Sequence, residues 1–66
     1  MKNTIRVERA ILNITQQQLA DAIGVSRNTI NSIESGKYVP STVLALKIAR
    51  YFGKPTDAIF ELDEND

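Results

Sequence analysis

The sequence predicts a small all-α domain of five helices, and three observations carry that expectation. Glycines at positions 24, 36 and 53 divide the chain, and Thr15, Ser26 and Ser41, residue types that cap helix N-termini, open three of the segments. Apolar residues recur at helical spacing, best seen in Leu44, Ala45, Ile48, Ala49 and Phe52. The connections between segments are short, as helices packed into one domain require.

The first helix is expected from Thr4 to Leu12, with Asn3 or Thr4 as cap. Ile5, Val7, Ala10 and Ile11 or Leu12 would supply its apolar contacts, in a ragged stripe. The second starts at Thr15, where Thr15 and Gln18 fit a capping box, and Gly24 ends it. Leu19, Ala20 and Ile23 form its core face. Ser26 caps the third helix, with Val25 before it as a hydrophobic staple, and Gly36 stops it. Pro40 keeps Val39 out of the helical region, and Ser41 caps a fourth helix that runs to about Phe52. Pro55 fits the first turn of a short fifth helix reaching about Phe60. Residues 61–66 form an acidic tail expected to fray.

Residues 1–66 make one domain, and a chain of this length buries only about 60% of its unfolded surface. A second copy is the remaining way to steady so small a core. There is no cysteine and no histidine. Disulfides, thiolate or histidine metal sites and histidine-based catalysis are therefore excluded. Neither a Gly-rich phosphate loop nor a positioned carboxylate pair is present, so an enzyme is not expected. The N-terminus lacks the apolar run of a signal peptide, and no stretch reaches the ~18 residues of a membrane span, so the expected location is cytoplasmic. No cofactor, metal or small-molecule ligand is expected.

The formal charge is zero, but it is unevenly placed. Up to Thr56 eight basic residues face three acidic ones, a net +5, while the ten residues from Asp57 hold five acids and no base. A basic body suits a polyanion partner; an acidic tail on an ordinary domain would give the same split.

The second and third helices are separated only by Gly24 and Val25 before the next cap, the tight Gly-containing turn of a helix-turn-helix. Ile30 and Ile33 set the inward direction of the third helix. Arg27, Asn28, Thr29, Asn31 and Ser32 then make up its outward surface. A plain solvated face would favour Glu and Lys, which are better helix formers than Asn and Ser. Arg, Asn and Thr instead match the hydrogen-bonding edges and methyl groups of the DNA major groove. Gln16 and Gln17 lie in the first turn of the second helix, where free N–H groups favour phosphate. Ser26 opens the third helix, and Lys37 and Tyr38 follow it, within reach of the backbone on the other side.

These residues, Thr15 to Ala20, Gly24 to Asn31, Ile33-Glu34, Gly36 to Tyr38, Pro40-Ser41 and Leu44 to Ala49, together resemble the lambda-repressor-like, Cro/xenobiotic-response-element family of helix-turn-helix regulators. The likeness spans about residues 4 to 60 and is closest to the minimal stand-alone members. It implies a five-helix DNA-binding domain, with Gln16 on phosphate, Arg27, Asn28 and Thr29 reading or lining the major groove, Asn31 and Ser32 close by, and Lys37 and Tyr38 on the backbone. It further implies an ion bridge between Arg9 and Glu34. Residues 1–3 would pair with residues 60–62 as a short two-stranded β element. Two positions depart from the family pattern: Glu8 stands where an apolar residue is common, and Asn28 where Gln is.

Val43 and Leu46 lie outside the main stripe of the fourth helix, and Ala58, Ile59, Phe60 and Leu62 lie beyond the motif. They predict a two-fold homodimer with Leu46, Ala58, Ile59, Phe60 and Leu62 at its interface, although Ile59 or Phe60 would also close the monomer core. The leading expectation is a repressor binding a palindromic operator in double-stranded DNA. The alternative is a protein-interaction module such as an antitoxin, favoured by the acidic tail.

Overall fold

The computed structural model describes every residue, Met1–Asp66. Five helices, α1 (Ile5–Leu12), α2 (Gln16–Ile23), α3 (Arg27–Glu34), α4 (Thr42–Phe52) and α5 (Thr56–Ile59), lie between two short strands, β1 (Lys2–Asn3) and β2 (Phe60–Glu61). The strands pair antiparallel, Lys2 opposite Glu61 and Asn3 opposite Phe60, and clasp the two ends of the chain together.

Local chemistry fixes where α2, α3 and α4 begin. The Thr15 hydroxyl accepts the Gln18 N–H at 3.0 Å, and the Gln18 side chain accepts the Thr15 N–H at 2.8 Å. That reciprocal pair satisfies two donors the helix itself leaves open. Ser26 and Ser41 accept from Thr29 and Leu44, each at 3.2 Å. Gly24, at φ 79°, turns the chain out of α2, and its N–H and that of Val25 both return to the Ala20 carbonyl. Asn13, at φ 56°, makes the equivalent exit from α1; asparagine tolerates that left-handed conformation better than most residues.

The core is one cluster in which Ile5, Leu19, Ala20, Ile30, Ile33, Ile48 and Ile59 are almost fully buried, joined by Ile23, Ala49 and Phe60. Ile14, Val25, Leu44, Ala45 and Phe52 pack on its margin. Burying each large side chain contributes about 1.5–3 kcal/mol. α2 and α3 have the most extensive contact of any pair of elements. This core holds the bend between them rigid.

α1 departs from expectation. Of the apolar residues assigned to its contacts only Ile5 is buried; Val7 is 57% and Ile11 67% exposed, and Ala10 and Leu12 are also exposed. The inward positions three and four residues after Ile5 belong to Glu8 and Arg9, and both are held by ion pairs. Lys54, from the α4–α5 loop, meets Glu8 at 2.7 Å; Arg9 pairs with Glu34 of α3. Two charge pairs thus supplement the one buried apolar side chain of α1, Ile5.

The C-terminal end differs too. Pro55 occupies the cap position rather than the first turn, and α5 stops at Ile59 because Phe60 leaves the helix to pair with Asn3. Beyond β2 the tail lies against the Met1 ammonium, which is 3.3 Å from Asp63 and 3.1 Å from Asp66. The Asp66 bond raises the pKa of that ammonium, and the Asp63 N–H, followed by the ammonium, lowers that of Asp66. No helix is long and apolar enough to cross a membrane.

Candidate nucleic-acid interface

α3 is anchored from behind by Ile30 and Ile33, which turn into the core. The opposite side carries Arg27, Asn28 and Asn31, all exposed, with Thr29 and Ser32 half-buried at its edges. The side chains of Arg27 and Asn28 have no hydrogen-bond partner within the chain and stand free at the start of the helix. The hydroxyls of Ser26 and Thr29 meet at 2.9 Å, and Ser26 also caps α3, so this pair shapes the corner from which Arg27 and Asn28 project.

The start of α2 lies beside that corner. Thr15 satisfies the N–H groups of Gln18 and Leu19, leaving those of Gln16 and Gln17 open. A shallow concavity lined by Arg9, Thr15, Gln16, Gln17 and Arg27 surrounds them. Open amides, the positive end of a helix and arginine together favour an anionic oxygen. The Gln17 side chain donates along the helix to Asp21 at 2.8 Å, which offsets that acid's charge near the surface.

Lys37 and Tyr38 sit beyond the other end of α3. Their N–H groups both bond the Ser32 carbonyl, at 2.9 and 3.2 Å, which fixes the turn and leaves both side chains exposed. Arg6, Arg27 and Lys37 have no acidic partner, so their charge faces solvent.

The implied bridge between α1 and α3 is present. Arg9 Nε and Nη2 donate to the two oxygens of Glu34 at 2.6 and 3.0 Å, and Nη1 donates to the Ile14 carbonyl at 3.1 Å. The hydrogen bonds it donates to Glu34 hold the guanidinium pKa above its ordinary value.

Two features escaped sequence reasoning. Asn3, expected as a cap for α1 and in the terminal β pair, also accepts the Ile5 N–H and donates to the Ile33 carbonyl at 2.9 Å, tying β1 to the end of α3. The side chain of Gln16 points toward α3, donating to Asn31 at 3.2 Å and to Glu34 at 3.3 Å. No spacing in the sequence signals either contact; both join elements placed together only by the fold.

The residues assigned to a dimer surface divide. Leu46 and Leu62 are 53% and 74% exposed, and Ala58 is also exposed. Ile59 and Phe60 are both buried in the single chain and close its core, with Phe60 also at the edge of a surface groove. A shallow, largely apolar groove runs from Val39 and Leu46 past Ala45 to Met1 and Phe60.

A family model described as helix-turn-helix matches residues 5–59. The chain is 48% identical over 66 residues to an uncharacterized HTH-type transcriptional regulator of Methanocaldococcus jannaschii, with the whole of both chains covered. It is 41% identical to the uncharacterized HTH-type transcriptional regulator YgzD of Bacillus subtilis, again over the whole of both. A regulator of the same description from Archaeoglobus fulgidus is 47% identical, covering all of this chain and 93% of that one.

Proposed function

The chain belongs to the helix-turn-helix family, of DNA-binding regulators and not enzymes, and on that premise we propose that it is a sequence-specific transcriptional repressor acting in the cytoplasm. The observation that carries this reading is the free pair Arg27 and Asn28 on a helix pinned from behind by Ile30 and Ile33. α3 would enter the major groove by its N-terminal end. Arg27 offers a fork to guanine, and Asn28 a donor and an acceptor to adenine. The open amides of Gln16 and Gln17 would hold a phosphate on one side of the groove, and Lys37 and Tyr38 would meet the backbone on the other.

Repression would follow from occupying an operator. A homodimer would bind two half-sites, its recognition helices about 34 Å apart and its site palindromic. Exposed Val39, Val43 and Leu46, with Ala58 and Leu62, supply apolar surface for that contact. Sedimentation giving only monomer at tens of micromolar would rule the dimer out.

The direct test is retardation of the promoter DNA beside the chain's own gene, at two salt concentrations. Retardation that weakens with salt supports the reading. No retardation, with tight capture of a protein encoded next to it, would support the interaction-module alternative instead.

A further inference from the structure

Glu34 closes α3 at the end away from Arg27, yet its carboxylate reaches the outward face through two other side chains. Its Oε2 accepts Arg9 Nε at 2.6 Å. Its Oε1 accepts Arg9 Nη2 at 3.0 Å and Gln16 Nε2 at 3.3 Å. The same Gln16 nitrogen donates to Asn31 Oδ1 at 3.2 Å. Both Glu34 oxygens face the Arg9 guanidinium, which has only donors, so the carboxylate acts here as an acceptor. The end of Gln16 that faces it must therefore be the NH2 group. The Asn31 atom that faces the same NH2 must then be its oxygen. Both hydrogens of Gln16 Nε2 are engaged, and exposed Asn31 is left with an Nδ2 that has no partner in the chain.

We propose that the Arg9–Glu34–Gln16 chain fixes Asn31 as a donor-only contact on the outward face of α3, with Glu34 and Gln16 as its positioning residues. The inference rests on α3 being the DNA-facing helix. A free asparagine offers a donor and an acceptor together, the match for adenine. Asn31 held this way offers donors alone. It suits a hydrogen-bond acceptor on DNA, either a base edge such as guanine O6/N7 or thymine O4, or a phosphate oxygen at the groove wall. It is mismatched to cytosine, whose groove edge is an NH2 donor. Gln16 in turn shows only its oxygen to solvent, so its side chain does not donate to phosphate. The backbone N–H groups of α2 are left to do so, which replaces the role the family resemblance implied for that side chain.

The test is selection of bound sites from a random DNA pool by the wild-type chain, Gln16→Ala and Asn31→Asp. Gln16→Ala leaves the Arg9–Glu34 bridge intact, so its unfolding midpoint should stay close to wild type. If Asn31 meets a base, the wild type disfavours cytosine at one position by about tenfold. Gln16→Ala broadens that position alone, and Asn31→Asp, which turns an acceptor outward, reverses it toward cytosine. If Asn31 meets phosphate, the selected sequence is unchanged, while Asn31→Asp weakens binding to every sequence about tenfold or more through charge repulsion. In the DNA-free protein, the Gln16 side-chain amide protons should exchange with water more slowly than in Glu34→Gln. Cytosine preferred by the wild type at the Asn31-dependent position would overturn the proposal. So would wild-type selectivity and affinity in both variants, or equal exchange in the DNA-free proteins. Enrichment of no sequence by the wild type, with the slow exchange still seen, would overturn the DNA-facing role of α3 rather than the side-chain chain itself.

Discussion

The Arg9 guanidinium grips the Glu34 carboxylate at both oxygens, 2.6 and 3.0 Å, with side chains only 15% and 7% exposed. This is the only ion pair joining α1 to α3. Removing one partner strands a charge in a place with little water. Glu34→Ala should therefore lower unfolding free energy by about 3 kcal/mol in a urea titration. The double variant with Arg9→Ala should lose at least about 1 kcal/mol less than the two single losses added together. Strict additivity would mean that the bridge contributes nothing.

The Glu8–Lys54 pair predicts the opposite behaviour. Lys54 is 44% exposed and can turn to solvent when its partner is lost, while Glu8 sits on the inward face of α1 beside the core. Replacing a paired charge by a well-packed apolar side chain is often neutral or stabilising. Glu8→Leu should change the unfolding free energy by less than about 1 kcal/mol or raise it. A loss approaching that of Glu34→Ala would contradict this distinction.

Gly24 tests the turn between α2 and α3. A Cβ added there would meet nothing within 4 Å, so any penalty comes from its φ of 79° alone. Gly24→Ala should cost about 1 kcal/mol and Gly24→Val more, while Gly24→Asn should cost least. Equal melting temperatures for all three would mean that α2 leaves through some other conformation.

The two classes of DNA contact should separate by mutation. Asn28→Ala should relax preference at one or two base pairs and cost about 1–3 kcal/mol on the best site. Lys37→Ala should weaken all sequences alike and reduce the salt slope by about one. Equal loss on every sequence for Asn28→Ala would move that residue to the backbone contacts.

What could be read from the sequence was what local chemistry decides. Thr15, Ser26, Ser41, Gly24 and Gly53 mark helix ends because a cap involves residues at most a few positions apart. Ile30 and Ile33 set the face of α3 because periodicity in a helix flanked by clear punctuation leaves one choice. α1 resisted for a physical reason. Its apolar residues Val7, Ala10 and Ile11 share a face as expected, but periodicity does not say which face is covered. The covered one holds Glu8 and Arg9, whose partners lie 46 and 25 residues away. Phe60 was placed at the end of α5 on local grounds, and its pairing with Asn3 in the strand, at the far end of the chain, came only from the family resemblance. At the candidate interface, the residue types at positions 27 to 32 were legible. The direction in which Gln16 and Asn31 point was not, since it depends on Glu34.

The most direct measurement is base-pair preference, taken from DNA selected by the wild-type chain out of a random pool. The expected result is an enriched two-fold site whose half-sites are centred about 10 base pairs apart, with a base pair in each half-site that depends on Asn28. A pool left without any enriched sequence, under salt low enough for the chain to stay on DNA, would contradict it.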